Sequence, residues 1–448
     1  MIFGLRSNGS CKTAQQDEGW QMNGRLKRLT LAGAVMAAVL ATPALAQRQA
    51  IIAGDVIVDA ERGSVGPGVI LVEDGRILSV TPGATVPPGI EQVIDLSGKT
   101  VLPGLIDLHV HLTGDPGGDF WKEAVEPEEW GVVVGAKNAA KTVRAGFTTV
   151  REAGSGGETA FALRRGTAEG YIVGPRIIAA GPALAIIGGH GDVSGFRPEV
   201  NEVLSSGFTC TGPVECAAKV RRAAQNGSDI IKITATGGVL SQQGRGLEAH
   251  FSNPEMTSIV DTASSLGLKV MAHAHGARGI EAAARSGVAT IEHGTYLDKP
   301  AADAMRERGT MLIPTLMAFQ GISERLGQGV YTPVVEAKVR EVAETAKVFM
   351  ARAMEWGVPI AFGTDAGVFD HGRNAGEFRL MMAQGMNSRQ AVASATTAAA
   401  KVLGMENELG RLAPGYSADI IAVDGNPLLD ATTLENVDWV MARGRIVE

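Results

Sequence analysis

Apolar and polar residues alternate in short runs at both ends of the chain. Near the N-terminus the runs IIAGDVIVDA, GVILVEDGRILSV and EQVIDLSGKT are separated by Gly, Pro and Asp, a pattern typical of β-strands. The same pattern returns at residues 418–423 and 439–447. The C-terminal piece is too small to bury a core alone. The two ends, 47–100 and 406–448, are therefore predicted to form one small β-sandwich.

Between these ends, apolar β-branched runs alternate with helical patterns such as VECAAKVRRAAQNG, MTSIVDTASSLG and ARGIEAAARSG, several of which end at a Gly. The eight predicted strands are Val101–His111, Gly146–Val150, Pro175–Ala180, Asp229–Thr236, Lys269–His275, Ala289–His293, Met311–Met317 and Pro359–Asp365. Eight strand–helix units predict an α/β fold, a (β/α)8 TIM-like barrel over residues 101–405. A doubly wound parallel sheet is the alternative.

The first 46 residues have the organisation of a secretory signal peptide. Arg25, Lys27 and Arg28 precede an apolar stretch over 29–41, and small residues then lead to a cleavage site expected after Ala46. Thirteen apolar residues are too few to span a bilayer, so no stable membrane anchor is expected. These features predict a periplasmic or secreted protein, with Met22 as an alternative start of translation.

Composition and charge narrow the classes of partner. The chain is 45% hydrophobic and 20% charged, which is typical of a globular protein. Its formal net charge of −7 argues against a nucleic-acid partner and against a membrane-binding patch. The expected partners are therefore a small-molecule amide or peptide substrate and further copies of the chain in a homo-oligomer.

Two of the three cysteines follow the leader segment. Cys11 lies within the leader, whereas Cys210 and Cys216 flank a turn-like stretch that contains Gly212 and Pro213. In an oxidising compartment this spacing predicts a local disulfide. Two free, buried thiols are the alternative.

Residues that commonly bind metal ions follow the ends of the predicted strands. They are His109, His111, His190, Lys232, His273, His275, His293 and Asp365. The chemistry of a (β/α)8 barrel takes place at the C-terminal ends of its strands. Imidazole and carboxylate groups are ligands that Zn²⁺ accepts. Together, the strand ends predict a metal site.

Lys232 constrains that site further. It interrupts the apolar run formed by Ile230, Ile231 and Ile233, so its strand is predicted to be buried. A buried ammonium beside a divalent cation would be strongly unfavourable in a low dielectric. A carbamate formed with CO2 would reverse the charge and offer two oxygens that bridge two ions. A lysine that extends to the barrel rim is the alternative.

These motifs resemble a known family. The set HVH, KIT, HAH, EHG and GTDAG, flanked by the two sandwich halves, resembles the amidohydrolase superfamily. GGHGD, IKITATGGV and MAHAHG look like its dipeptidase-like subgroup, which includes Xaa-Pro and Xaa-Lys/Arg carboxypeptidase-type enzymes and ochratoxin hydrolases.

The resemblance implies a binuclear zinc site. In that site His109, His111 and Asp365 would bind one ion, His273 and His293 the other, and carboxylated Lys232 would bridge them. The choice of His273 rests on the resemblance alone, since strand periodicity places His275 on the same face.

The resemblance also implies a reaction. The zinc ions would activate a shared hydroxide, and Asp365 would carry its proton to the departing amine. The expected activity is release of a C-terminal amino acid from dipeptides or N-acyl amino acids, including ochratoxin-like amides. Relatives often carry a tyrosine after the strand-four glycines, but GRGLEAHFS has none here, which weakens the substrate analogy.

Four further residues have two interpretations each. His190 would bind the substrate carbonyl or carboxylate, or hydrogen-bond its own loop. His275 would contact substrate or a metal ligand, or pack structurally. Arg151 would bind a substrate carboxylate, or pair with an internal acid. His371 is expected to be a solvated loop residue, with a position at the mouth of the pocket as the alternative.

Three other functions are compatible with parts of the pattern. A mononuclear zinc deaminase or imidazolone-type hydrolase shares the histidines and the aspartate but does not need Lys232. A lactonase or phosphotriesterase would use the same metals on an ester. A metal-free structural protein is the option without catalysis.

Overall fold

The computed structural model describes residues 48–117, 120–242 and 246–448. The predicted signal peptide over 1–46, with Cys11 and Met22, lies outside the described residues. Within the described ranges, no helix has the length and apolar character needed to cross a membrane.

The N-terminal part of the chain is built from strands. They are β1 (Arg48–Asp59), β2 (Gly63–Ser64), β3 (Gly68–Glu73), β4 (Arg76–Pro82) and β5 (Gln92–Pro103). Strand β1 pairs with β3 in antiparallel register and with β5 in parallel register. Strand β5 runs three residues past the predicted boundary at 100. It ends at Pro103 and is followed by Gly104, where a Cβ atom would overlap the side chain of Thr148.

Seven parallel strands follow in the middle of the chain. They are β6 (Leu105–Val110), β7 (Phe147–Glu152), β8 (Arg176–Ala179), β9 (Ile231–Thr234), β10 (Val270–Ala274), β11 (Thr290–His293) and β12 (Met311–Ile313). They form two sheets, with the orders β6-β7-β8 and β12-β11-β10-β9. Most of these strands are buried along their whole length, as expected when helices cover a parallel sheet.

The last three strands complete the terminal sheet. They are β13 (Ile420–Val423), β14 (Val437–Ala442) and β15 (Arg445–Ile446). Strand β13 pairs with β5, which gives a sheet with the order β15-β14-β13-β5-β1-β3-β4 and β2 paired to β1. Strands from both chain ends thus share one sheet. Its own apolar core includes Ile51, Ile70, Ile420 and Met441.

Helices occupy most of the connections. They are α1 (Trp130–Arg144), α2 (Thr159–Glu169), α3 (Pro198–Leu204), α4 (Pro213–Asn226), α5 (Asn253–Ser265), α6 (Ala277–Ser286), α7 (Lys299–Arg308), α8 (Leu316–Glu324), α9 (Pro333–Ala343), α10 (Phe349–Glu355), α11 (Gly376–Ala383), α12 (Ser388–Ser394) and α13 (Thr397–Leu403). Short 3₁₀ helices span Phe120–Ala124, Thr345–Lys347 and Ala431–Glu435. The helical patterns of α4, α5 and α6 are confirmed. Helices α4 and α6 end at left-handed Gly227 and Gly287.

The predicted seventh strand is too long. Strand β12 ends at Ile313, because Pro314 has no N–H to donate and Thr315 adopts a left-handed conformation with φ 51°. Helix α8 then begins at Leu316, so the C-terminal part of Met311–Met317 is helical.

The predicted eighth strand, Pro359–Asp365, is not a regular strand. Only Ile360 pairs, in an isolated bridge to Leu312. The segment still follows β6, since Leu108 N donates to Phe362 O at 3.1 Å and Asp365 N donates to His109 O at 2.7 Å. Left-handed Asp365, with φ 62°, interrupts the extended geometry that a ladder needs.

Backbone hydrogen bonds also connect the two parallel sheets on the side of β8 and β9. Leu184, a few residues beyond β8, donates its N–H to Lys232 O at 2.8 Å and accepts from Thr234 N at 3.0 Å. The segment 359–365 makes the other connection, between β12 and β6. The α/β class is therefore confirmed, with the carboxyl ends of the parallel strands directed to one side.

A disulfide joins Cys210 and Cys216, with a Cα–Cα distance of 5.0 Å. Cys216 lies in the first turn of α4, and both residues are buried. The bond ties the long connection after β8 to this helix.

Candidate metal centre

Histidine and acidic side chains converge at the carboxyl ends of the parallel strands. Two groups of three each have ligand atoms within 4.8 Å of one another, and both groups are buried: His109, His293 and Asp365, and His273, His275 and His293. The sequence predicts all five residues to be at strand ends, and the structure brings them together. His293 belongs to both groups, so the groups are adjacent.

Around Asp365, the rings of His109 and of neighbouring His111 present hydrogen-bond acceptors that face the carboxylate. His111 donates its Nδ1 proton to Gly154 O at 2.7 Å, because a carbonyl can only accept. His109 donates its Nδ1 proton to the Glu292 carboxylate at 2.8 Å. The Nε2 atoms of both rings therefore carry lone pairs, and both lie 3.4 Å from Asp365 Oδ1. Among the described residues, Oδ1 is buried without a hydrogen-bond partner. Three converging acceptors without a donor fit a bound cation.

A fully buried ion pair fixes the orientation of His109. Glu292 accepts from His109 and from Arg151 Nη2 at 2.9 and 3.0 Å, and Thr290 Oγ1 also donates to it. Arg151 also donates hydrogen bonds to Thr290 Oγ1 and to Leu108 O. Neither member of the pair is exposed to solvent. Arg151 is therefore not available to a substrate carboxylate, and its assignment as a substrate-binding residue is wrong.

Left-handed backbone places the last ligands of the site. His293, Thr315 and Asp365 have φ values of 72°, 51° and 62°, which non-glycine residues adopt at a cost in free energy. Thr315 Oγ1 lies 2.7 Å from His293 Nδ1, so two of the three residues contact each other. Strained backbone at the ends of successive strands turns these side chains towards the cluster.

The second group contains the histidine pair that sequence periodicity cannot separate. His273 donates its Nε2 proton to Gly237 O at 3.2 Å, which leaves the lone pair of Nδ1 for another partner. His275 Nδ1 lies 2.7 Å from Thr295 Oγ1. The His275 ring stacks on that of His293 with centroids 4.9 Å apart. Both histidines remain within reach of an ion held by this group.

Lys232 lies in the same buried region. It is 4% exposed on strand β9, and its charge lowers the pKa of His109, His111, His273 and His293. Burial lowers the pKa of Lys232 itself, while nearby carboxylates oppose that shift. The side chain is buried beside the candidate ligands and does not extend to solvent, so the alternative of a lysine at the rim is wrong.

Burial has opposite effects on the two kinds of ligand. It lowers the pKa of the histidines, to about 4 for His111 and about 3 for His275, so their rings are neutral at pH 7. It raises the pKa of Asp365 to about 7, and the charge of Lys232 opposes this rise. Neutral imidazoles and a carboxylate that exchanges its proton near neutral pH suit metal binding and proton transfer.

His190 lies beside the second group. Its ring centroid is 4.2 Å from that of His273, and its Nδ1 atom is 2.6 Å from Ser241 Oγ. Burial, followed by the charge of His275, lowers its pKa well below the usual value. Its loop therefore places His190 against His273, at the edge of the second group.

Asp107, on strand β6, supports the site without belonging to either group. It is fully buried and accepts from His109 N, Thr364 N, Thr364 Oγ1 and Asn374 Nδ2. Burial raises its pKa to about 6. Asp107 thereby fixes the backbone on both sides of the cluster, next to His109 and next to Asp365.

The expectation that His371 is solvated is wrong. It is 4% exposed, lies 3.0 Å from Thr142 Oγ1 through Nδ1, and donates Nε2–H to His111 O at 3.2 Å. The DHG sequence around it suggested a loop, and only the fold shows that this loop packs against α1. His371 thus supports the backbone of a candidate ligand.

The chain is similar to known proteins over most of its length. A family model described as "Amidohydrolase family" matches residues 100–447. The chain belongs to the amidohydrolase family. Ochratoxinase from Aspergillus niger is 33% identical over 354 residues, which cover 74% of this chain and 71% of that protein.

Solved structures of this family are similar over most of both chains. A Xaa-Pro dipeptidase with methionine bound in its active site is 37% identical, covers 89% of this chain and 99% of its own, and has a TM-score of 0.82. A prolidase complexed with N-methylphosphonate-L-proline is 32% identical, with coverages of 89% and 99% and a TM-score of 0.80. The resemblance drawn from the sequence motifs is confirmed, and the chain is a hydrolase that acts on amide bonds.

Proposed function

We propose that this amidohydrolase is zinc-dependent and releases a C-terminal amino acid from dipeptides or N-acyl amino acids, including ochratoxin-like amides. The observation that carries the proposal is the buried convergence of acceptors on Asp365 Oδ1, with Lys232 directed at the same cluster. The similar ochratoxinase and Xaa-Pro dipeptidase support the substrate class.

The donor set fits two zinc ions. Asp365 and the Nε2 atoms of His109 and His111 would hold one ion, and His273 and His293 the other. His275, which the second group also includes, is assigned to the substrate side. The choice of His273 over His275 as the zinc ligand is thus part of the proposal.

Lys232 would bridge the two ions after reaction with CO2. Burial lowers the pKa of its amine, and only a neutral amine attacks CO2. The nitrogen bonds to the CO2 carbon and loses a proton, which gives an anion with two oxygens. An unmodified ammonium would repel the ions that the surrounding acceptors attract. The buried lysine is also the observation that favours this binuclear site over a mononuclear deaminase-type site.

When bound, the zinc ions would lower the pKa of a water shared between them and polarise the scissile carbonyl. Asp365 would accept the proton of the attacking water and deliver it to the departing amine. His190 donates a hydrogen bond from its free ring nitrogen to the substrate carbonyl or carboxylate. His275, whose ring centroid lies 4.7 Å from that of His273, would contact the substrate on the same side of the site.

The barrel and the cellular location belong to the proposal as well. Hydrogen bonds of Leu184 and of segment 359–365 connect the two parallel sheets, which supports a closed (β/α)8 barrel. The disulfide between Cys210 and Cys216 supports export to an oxidising compartment. Fractionation of cells that express the full chain tests export, and a protein retained in the reducing cytoplasm would contradict it.

The direct test of the activity uses the zinc-loaded, purified chain. It is incubated with a panel of dipeptides and N-acyl amino acids, matched esters and a phosphotriester, and the released amine is measured. Amide cleavage that Asp365→Asn abolishes while folding is retained is the expected result. Cleavage of the esters or of the phosphotriester without amide cleavage would instead indicate a lactonase or a phosphotriesterase.

A further inference from the structure

The segment 237–242 packs directly against two histidines of the site. It follows strand β9, and its Gly237 O accepts the Nε2 proton of His273. A Cβ atom at Gly238 would overlap Nδ1 and Cε1 of His190, so the backbone of Gly238 lies against the face of that ring. Ser241 Oγ lies 2.6 Å from His190 Nδ1. One short segment therefore sets both the plane of the His190 ring and the partner of its Nδ1 atom.

Helix α9 holds the same segment from the other side. Lys338 Nζ donates to Gly238 O at 2.8 Å and to Ser241 O at 2.6 Å. Thr332 Oγ1, at the start of the helix, donates to Gln242 Oε1 at 2.8 Å. Lys338 thus binds the carbonyl groups of the two residues that contact His190.

A buried ammonium in this position lowers the stability of the fold unless hydrogen bonds compensate for its lost hydration. Lys338 is 5% exposed, and burial of a charged amine is unfavourable unless charge-assisted hydrogen bonds compensate. Burial lowers its pKa to about 8, so the group is still mainly charged at pH 7. Its hydrogen bonds to Gly238 O and Ser241 O place this charge next to the residues that contact His190.

We propose that Lys338 is a positioning residue that fixes the orientation of His190 through the segment 237–242. This inference rests on the proposed function, in which His190 contacts the substrate. A side chain that contacts a reacting group must be held within a fraction of an ångström, by neighbours whose own conformations are fixed. Lys338 supplies that restraint from a helix that lies about 150 residues further along the chain than His190 and contributes none of the candidate metal ligands.

The main test replaces Lys338 with methionine in the zinc-loaded full chain. Lys338→Met is expected to lower kcat/KM by about 10- to 100-fold at unchanged zinc content, the effect typical of removing a residue that orients a ligand. Lys269→Met is the matched control. Lys269 is an exposed lysine whose amine donates to Val402 O at 2.6 Å, at the opposite end of strand β10. The control is expected to lose stability without loss of kcat/KM.

A double-mutant cycle separates positioning from a general effect on folding. If Lys338 acts through His190, the double variant Lys338→Met/His190→Asn should lose no more kcat/KM than His190→Asn alone. Ser241→Ala should reproduce part of the loss and should also be non-additive with His190→Asn. Losses that multiply in either cycle would overturn the proposal. Lys338→Gln replaces Lys338→Met if the methionine variant does not fold.

A crystal structure of the Lys338→Met variant tests the inference without any measurement of activity. In a crystal structure of zinc-loaded Lys338→Met, the His190 ring is expected to leave Ser241 while the zinc ligands stay in place. A ring that keeps its position would overturn the proposal. If the wild-type chain hydrolyses no substrate in the panel, the proposed function fails. The position of the His190 ring in the structure of the variant then still decides whether Lys338 orients His190.

Discussion

The Nδ1 proton of His109 is bound by the Glu292 carboxylate at 2.8 Å, and this contact turns the lone pair of His109 Nε2 towards Asp365. Glu292 is in turn paired with Arg151 in a site closed to solvent. The orientation of a candidate zinc ligand therefore depends on an ion pair that no substrate touches.

Replacing Glu292 with glutamine should weaken zinc binding. The amide removes the charge that favours a proton on His109 Nδ1 and allows the ring to adopt the other tautomer. Zinc affinity is expected to fall by about 10- to 100-fold, measured by competition with a chromogenic chelator. Glu307→Gln, at an exposed surface pair with Arg285, is the control and should bind zinc like the wild type. Wild-type zinc affinity in Glu292→Gln would show that the contact does not orient His109.

Arg151→Met should destabilise the fold without impairing substrate recognition. It leaves the Glu292 carboxylate buried and unpaired, which costs about 3–5 kcal/mol of the free energy of unfolding. Urea unfolding at fixed zinc concentration measures this loss. The double variant Arg151→Met/Glu292→Gln should be more stable than the sum of the single losses predicts, because both charges are removed. A variant of normal stability with a raised KM would instead return Arg151 to the substrate site.

His371 should make stability depend on pH below neutrality. Burial lowers its pKa to about 4, so its neutral ring favours the folded state above the unfolded pKa of about 6.5, and this contribution is lost as the pH falls towards 4. Between pH 7 and pH 5 the zinc-free wild type should lose up to about 2 kcal/mol more stability than His371→Gln. Equal losses in the two proteins, measured by urea unfolding at both pH values, would contradict the assignment.

Gly238→Ala should reduce activity through a steric clash. The added methyl group overlaps the His190 ring, whereas no positive φ strains the backbone at this position. We expect kcat/KM to fall at least tenfold (about 1.4 kcal/mol in transition-state free energy) with little change in zinc content. Gly98→Ala is the matched control, since nothing lies within 4 Å of its added Cβ. Full activity of Gly238→Ala would mean that His190 can move without consequence.

The convergence of the candidate ligands could be predicted from the sequence because these residues follow the strand ends. A histidine or aspartate directly after an apolar run must lie at the carboxyl end of its strand, and a parallel barrel brings those ends together. Lys232 was informative for a similar reason, since a charged residue inside an apolar strand needs a chemical explanation. These inferences use only local patterns and one topological rule.

The supporting contacts could not be predicted in this way. Arg151 and Glu292 are far apart in sequence, and nothing local indicates that they pair. Lys338 lies on an amphipathic helix, where a lysine is normally solvated. Segment 359–365 has the composition of a strand, but left-handed Asp365 and the packing of Gly363 against His109 replace a regular ladder with isolated contacts.

The zinc content of the purified chain tests the central claim most directly. After reconstitution with zinc and bicarbonate and removal of unbound metal, the account predicts two zinc ions per wild-type chain by elemental analysis, with less than half of that in Lys232→Met. A wild-type chain that retains no zinc, or a Lys232→Met variant that retains as much zinc as the wild type, would contradict it.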